Sequence, residues 1–349
     1  MENLPGLTIP ILGFNDKKEI VEKGKLVSSV AIQQGGMAVG ISMAGLAAAV
    51  SGKGGIGLIA ASGLTPDELI SEIRKARKLS KGVIGINVMV AVKLFPELVK
   101  AAIKESIDLV VAGAGFSRDA FKWCLEAGIP YVPIIKDEKG ASLCVRLGAS
   151  AVVLECEEAG GHLATLESTW DVLPRVTEKV SVPVIAAGGI LTRADINRAL
   201  SLGASGVQMG MRFALSEESS AAESWKQECV DACSEDVVYV ASPTGMYGRA
   251  LNNDFVQQMG IALENLTSKN SSRIVAERLE DLRPRRLRKV QGARCVECLA
   301  HCERVYCIMH ALRCALVGDL KNALIFCDKR VGEINDILSV EQIFAELLA

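Results

Sequence analysis

Between residues 30 and about 213 the chain repeats one pattern. A short Val/Ile/Ala-rich run meets a glycine, and a charged stretch with apolar residues three and four apart follows. The apolar runs predict strands at 30–34, 55–61, 83–90, 109–113, 131–135, 151–156, 183–187 and 206–210, and the stretches between them predict helices. The clearest helix signal is TPDELISEIRKARKLSKG, residues 65–82. Thr65 is the N-cap, Pro66 takes the first helical position, Glu68 completes a capping box, and Gly82 marks the stop. Strands that alternate with helices pair in parallel through crossovers. Eight such units predict an α/β protein, a closed (β/α)₈ TIM barrel, in preference to an open doubly wound sheet.

Residues 38–62 are the most apolar stretch, but Lys53 and several glycines interrupt them. They predict a buried helix plus a strand, not a membrane span. After residue 216 the rhythm changes. EESSAAESWKQECVDAC (217–233) predicts a helix, and SPTGMYGRALNN (242–253) reads as a loop rich in turn formers. The basic run DLRPRRLRK (281–289) reads as a solvated linker, with an anionic partner as the alternative. The tail SVEQIFAELLA (339–349) predicts a short amphipathic helix that closes the barrel.

Half the residues are apolar, 4% are aromatic and 32 are glycine. That composition suits the tight turns and small aliphatic packing of an α/β enzyme. A net charge of −2 provides no basic field and excludes a nucleic-acid partner as an expectation. The first residues lack a basic segment followed by an apolar core, so no signal peptide is read and a cytoplasmic location is expected. Cys124, Cys144, Cys156, Cys229, Cys233 and Cys327 occur singly, as buried small residues do. The other five cysteines fall between 295 and 314.

In a barrel, ligands bind at the C-terminal ends of the strands. The residues there are Gln34-Gly35-Gly36-Met37, Asn87, Gly113-Ala114-Gly115, Lys136, the 157–162 segment, Gly188-Gly189 and Gln208-Met209-Gly210-Met211. Glycine lets backbone N–H groups approach a ligand closely. Loops after the seventh and eighth strands commonly hold phosphate, and both are glycine-rich here. His162, one of three histidines, follows Gly160 and Gly161. An imidazole titrates near neutrality, which suits a general acid–base. Glu157 and Glu158 are weaker candidates, and one of them is expected to cap the next turn. Lys136 ends the fifth strand, where a cation would stabilise an anionic ligand edge. The alternative is a surface lysine paired with Asp137 or Glu138.

The segment CVECLAHCERVYC places Cys295, Cys298, Cys302 and Cys307 within thirteen residues. Such thiolates can converge on an iron–sulfur cluster, or on zinc with His301 or His310. Plain reduced thiols are the further alternative. Cys295, Cys298 and Cys302 also fall at i, i+3 and i+7, the spacing of a buried helix face.

Taken in order, QGGM, GINVMV, EAGGH, PVIAAGGI, GVQMG followed by RF, and SPTGMYGRA resemble the nitronate monooxygenase (2-nitropropane dioxygenase-like) family. That family includes the FMN-dependent enoyl-acyl carrier protein reductase II. The likeness covers roughly residues 28–255. It implies an FMN-binding barrel over 1–216 and a smaller, mostly helical substrate-covering part and linker over 217–294. A Cys-rich segment over 295–349, of a kind a subset of the family carries, then returns to the barrel. The phosphate would lie on Gly188, Gly189, Gln208, Met209, Gly210 and Met211. The isoalloxazine would lie near Gly36, Met37, Asn87, Gly160 and Gly161, with His162 as the acid–base group. Two departures stand out: Met211 replaces a usual Thr, and Ala31-Ile32-Gln33-Gln34 replaces a frequent Pro-Ile-Ile-Gln.

The resemblance implies oxidation of small alkyl nitronates. The alternative is reduction of an enoyl thioester by NADH or NADPH, with acyl carrier protein as the carrier. A third reading is a non-catalytic flavin or metal redox sensor. A small-molecule substrate and a homodimer complete the expectations.

Overall fold

The computed structural model describes residues 4–283, 298–303 and 305–349. The chain opens with an antiparallel hairpin, β1 (Leu7–Phe14) and β2 (Ile20–Ser28). Barrel strands β3 (Ile32–Gln34), β4 (Ile56–Ala60), β5 (Val83–Met89), β6 (Leu109–Gly113), β7 (Tyr131–Ile135) and β8 (Val152–Glu155) follow, with helices between them. A short strand β9 (Gly161–Leu163) precedes the last two barrel strands, β10 (Val184–Ala187) and β11 (Gly206–Met209). Parallel pairing runs from β3 through β8 to β10 and β11, and β11 pairs with β3 to close the ring. The eight strands match the expected ones to within two residues at either end. The reason is burial on both faces, which demands continuous apolar runs. Ile56, Leu58, Val111, Val132, Val153 and Ile185 fill the interior, while alternate residues such as Ile59, Val110 and Val152 pack under the helices.

Thr65 caps the helix Pro66–Leu79 with a full capping box, a feature contributing about 1 kcal/mol. That helix ends at Ser80, before the predicted stop at Gly82. The tail helix Val340–Leu348 packs on the helices Ala44–Gly52 and Arg193–Ser201, closing the outer ring between its first and last members.

Three features differ from the sequence expectation. The hairpin β1–β2 was not foreseen; Leu7 and Ile9 plug the N-terminal mouth of the barrel among Ala31, Ile56 and Leu109. The 242–253 segment is not all loop, because β13 (Tyr247–Leu251) lies within it. With β12 (Val237–Ala241) and β14 (Ala262–Leu263) it forms a four-stranded sheet in the order β14-β12-β13-β9. The covering part thus takes its edge strand from a barrel loop. Finally, residues 298–303 are not helical, so Cys298 and Cys302 share no helix face; the next helix begins at Ile308. Cys124, Cys144, Cys156, Cys229 and Cys327 are buried as expected, but Cys233 is exposed. Among the described residues no helix is long and apolar enough to cross a membrane.

Candidate active site

A cleft of about 740 Å³ opens at the C-terminal mouth of the barrel. Gly36, Met37 and Asn87 form its wall above β3 and β5. Gly36 lies so close to Asn87 that a Cβ there would come 2.0 Å from the asparagine Cβ. Gly188, Gly189, Gln208, Gly210 and Met211 line the side above β10 and β11. Gly160, Gly161 and His162 line a third side. The structure therefore brings these expected residues to one cavity. Met209 is the exception, since its side chain is buried in the helix layer and only its carbonyl reaches the loops, accepting from Gly35 N.

His162 stands on β9, opposite Gly248 of β13. Its Nε2 lies 2.8 Å from Ser242 Oγ, and the ring meets the edge of Phe326 with centroids 5.2 Å apart. Burial pushes the imidazole pKa down to about 4, so the ring is neutral near pH 7. The preceding loop is clamped from both sides. Arg249 donates to the Glu157 carbonyl and also bonds Tyr239 Oη at 2.8 Å. Tyr239 Oη donates to the Glu157 carboxylate at 3.0 Å. Glu158 accepts from Thr169 N at 2.8 Å and from Ser168 Oγ, so it is the acid that caps the next helix, Thr169–Lys179.

On the β10 side, Gly188 and Gly189 both have left-handed backbone, with φ of 96° and 62°. Arg330 holds this turn by donating to the Gly189 carbonyl at 2.5 Å, while pairing with Asp195 at 2.9 Å and Glu333 at 2.6 Å. Beneath the cleft, Gln33 Nε2 donates to Gln208 Oε1 at 2.7 Å. Gln33 Oε1 is buried without a partner among the described residues.

Lys136 lies exposed on the cleft rim and donates to the Ala164 carbonyl at 3.2 Å. The alternative surface pairs do not form. Asp137 instead caps the helix Glu138–Arg146, and Glu138 pairs with Arg175 at 2.9 Å. Two acids that line the cleft were not singled out from the sequence. Burial raises the Glu155 pKa to about 7 and that of Asp328 to about 6, the latter opposed by a hydrogen bond from Arg330 N. Glu155 was hidden inside a strand run, and Asp328 follows the apolar run ALIFC, which was not read as part of a site.

Of the expected metal ligands, Cys295 lies outside the described residues. Cys298, Cys302 and Cys307 do not line the cleft. Among the described residues no three His, Cys, Asp or Glu side chains form a group able to hold a metal. The segment's described residues 298–303 instead lie beside the cleft, with Lys93 N donating to the Cys298 carbonyl at 3.0 Å and Glu303 N to the Pro243 carbonyl at 2.7 Å. Leu299, Ile308 and Met309 present apolar side chains to the cavity.

The nitronate monooxygenase family model matches residues 21–116 and 92–349. The chain belongs to the nitronate monooxygenase family, a family of enzymes. A probable nitronate monooxygenase of Staphylococcus haemolyticus is 30% identical over 285 residues, covering 67% of this chain and 80% of that protein. An octahydro-indene-carboxyl-CoA dehydrogenase of Rhodococcus jostii is 32% identical over 214 residues. That match covers 61% of this chain and spans only 60% of the relative's length. Among solved structures, FabK from Thermotoga maritima superposes with a TM-score of 0.75 at 29% identity, over 91% of each chain. A nitroalkane oxidase from Streptomyces ansochromogenes shares the fold, with a TM-score of 0.71 at 21% identity over 92% of this chain and 95% of that one.

Proposed function

We propose that this family member is an FMN-dependent oxidoreductase that oxidises small alkyl nitronates, with His162 as its general acid–base. The observation that carries this reading is a neutral histidine on the wall of the same cleft as two glycine-rich turns. The residues present fit the cofactor. Gly188 and Gly189 turn with positive φ at the cleft wall, where the absence of side chains lets their backbone approach a phosphate closely. A methyl group added at Gly210 would meet only Met37 Sδ, at 4.0 Å, so the space beside this turn is open. Met211 offers no hydroxyl, so phosphate would be held by backbone groups. Gln208 brings an amide to the cleft and Lys136 a cation to its rim.

When bound, FMN supplies the two-electron sink. The protein supplies position and proton control. Gly36, Met37, Asn87 and the Gly160-Gly161 backbone would bound the ring. The imidazole is neutral near pH 7, so one ring nitrogen is free to accept a proton while the other carries one to give. Leu299, Ile308, Met309 and Phe326 give that side of the cleft an apolar wall. A metal on Cys295, Cys298, Cys302 and Cys307, whether iron–sulfur or zinc, enters no step.

A second reading is reduction of an enoyl thioester by NADH or NADPH, with the thioester carried on acyl carrier protein. It is favoured by the likeness to FabK at 29% identity and by an apolar arm of the cleft. Phe116, Phe121, Tyr131 and Leu143 line that arm, with the Phe121 and Tyr131 rings 4.6 Å apart. Anaerobic titration of the purified protein separates the two. Bleaching of the flavin spectrum by a nitronate but not by NADH or NADPH supports nitronate oxidation. Bleaching by a pyridine nucleotide, with reoxidation by an enoyl thioester, supports the reductase. A protein without flavin rejects both.

A further inference from the structure

We propose that Ser242 and Thr244 form a proton relay that connects His162 to solvent. The proposal rests on the reading of His162 as the acid–base group. His162 Nε2 is 2.8 Å from Ser242 Oγ, and Ser242 Oγ is 2.8 Å from Thr244 Oγ1. Three exchangeable groups therefore stand in one line at hydrogen-bond distance. The line runs outward. Ser242 is fully buried, Thr244 is half-buried at the cleft wall, and Gly245 beside it is exposed. A Cβ at Gly245 would meet nothing within 4 Å, so the turn tip is open to water.

The turn that carries both hydroxyls is rigidly fixed. Ser242 N donates to the Met246 carbonyl at 2.9 Å, and Gly245 N to the Ser242 carbonyl at 3.0 Å. Glu303 N, from the 298–303 segment, donates to the Pro243 carbonyl at 2.7 Å. Thr244 N also donates to Ser242 Oγ, at 3.3 Å, which holds the serine oxygen in line. Among the described residues, only Ser242 hydrogen-bonds the His162 side chain. Nδ1 is therefore the nitrogen left to meet a substrate in the cleft.

The relay answers a physical need. A cofactor and substrate in the cleft would cover the cleft side of His162, whereas Thr244 sits beside the exposed Gly245 turn tip. Desolvation makes a lasting imidazolium costly. A hydroxyl chain lets the ring pass a proton through without storing it. In the oxidative direction, when the substrate arrives as the neutral nitroalkane, its α C–H bond breaks and Nδ1–H forms, leaving the nitronate. Nε2–H breaks as Ser242 O–H forms, the serine's own proton moves to Thr244 Oγ1, and the threonine's proton leaves to water. The electron pair of the C–H bond remains on the substrate, and no group in the relay is oxidised or reduced. The reductive direction runs the same transfers backwards. Ser242 and Thr244 act through His162 and are positioning residues.

Thr244→Val keeps the side-chain shape, leaves Ser242 to orient the ring, and removes only the outer hydroxyl. The measurements, made on the flavin-loaded protein, are exchange of the His162 ring proton with water, by ¹⁵N-resolved NMR saturation transfer, and turnover with its solvent isotope effect. The relay predicts that Thr244→Val slows ring-proton exchange and lowers kcat, each by about tenfold, part of a general acid–base contribution. KM should stay constant. A proton inventory that is multi-proton in the wild type should become single-proton, and Thr244→Ser should restore both rates. Unchanged exchange in folded Thr244→Val overturns the relay. Slowed exchange together with wild-type turnover in His162→Ala would keep the relay as a proton path and reject the acid–base reading.

Discussion

Arg249 and Glu157 are joined twice across the sheet that covers the barrel. The guanidinium bonds the Glu157 carbonyl and also its carboxylate, the latter at 3.3 Å. Arg249 is almost fully buried, with its side chain 4% exposed, and it lies on β13 opposite Gly161 of β9. One residue of the covering sheet therefore fixes the start of the loop that ends in His162. Arg249→Met should lower stability by about 2 kcal/mol, the scale of a hydrogen bond to a charged group. It should also lower turnover, because the histidine loses its frame; Arg249→Lys should recover part of both. Denaturant unfolding and steady-state kinetics check this. Wild-type turnover in a folded Arg249→Met protein would show that the clamp does not position the loop.

Gly160 tests how tightly that loop is seated. A Cβ there would fall 2.6 Å from the Cys327 carbonyl carbon and 2.8 Å from Asp328 N, both backbone atoms. Neither can swing aside as a side-chain tip would. Gly160→Ala should cost about 1–3 kcal/mol, as overpacking does. It should also reduce the retained flavin, measured by the ratio of flavin to protein absorbance. An alanine variant with full flavin content and unchanged melting temperature would mean that the loop can move away from the 326–330 segment.

Arg330 should matter to the cofactor more than to the fold. It grips the Gly189 carbonyl and Asp195 together. Arg330→Met should weaken FMN binding about tenfold, a loss of about 1.4 kcal/mol. Fluorescence titration of apoprotein with FMN measures this, and equal affinity would mean that the Arg330 grip on Gly189 does not serve the cofactor.

Two cleft groups predict opposite pH windows for stability. Burial holds Glu155 as the acid, raising its pKa from the ordinary 4.5 to about 7 in the folded state. Its folded state therefore binds more protons than the unfolded chain between those values. The resulting stability is present below pH 4.5 and is lost as pH rises through 7, on the order of 3 kcal/mol in all. His162 is depressed from 6.5 to about 4. Its contribution is present above pH 6.5 and lost as pH falls towards 4. Glu155→Gln should gain stability relative to wild type from pH 5 to 8, whereas His162→Gln should gain from pH 6.5 down to 4. Urea denaturation at these pH values reads both, and parallel curves for variant and wild type would refute the assignment.

Much of the barrel was legible because its strands are buried on both faces. Runs such as LVVAG (109–113) and YVPII (131–135) have no polar face to confuse the reading. The β1–β2 hairpin escaped notice for the opposite reason. In β2 the sequence IVEKGKLVS is largely solvent-facing, and Pro10 and Gly13 interrupt the β1 pattern. Strand β13 was hidden by turn formers on its flanks, Pro243, Gly245 and Asn252. Its partner β9 is also remote in sequence, pairing Tyr247 with Leu163. The strand-end glycines and His162 were visible as motifs. Phe326, Asp328 and Arg330 were not, because only the return of the C-terminal segment to the mouth brings them there. Ser242 and Thr244 lay inside a quoted motif, but nothing local shows that the Ser242 hydroxyl meets His162 and the Thr244 hydroxyl meets Ser242.

The most direct test of the central claim is turnover of His162→Ala measured at equal flavin content. The prediction is that FMN remains bound and turnover with a nitronate falls by about a hundredfold or more, the size of a general acid–base contribution. Full turnover in a flavin-loaded His162→Ala protein would contradict the account.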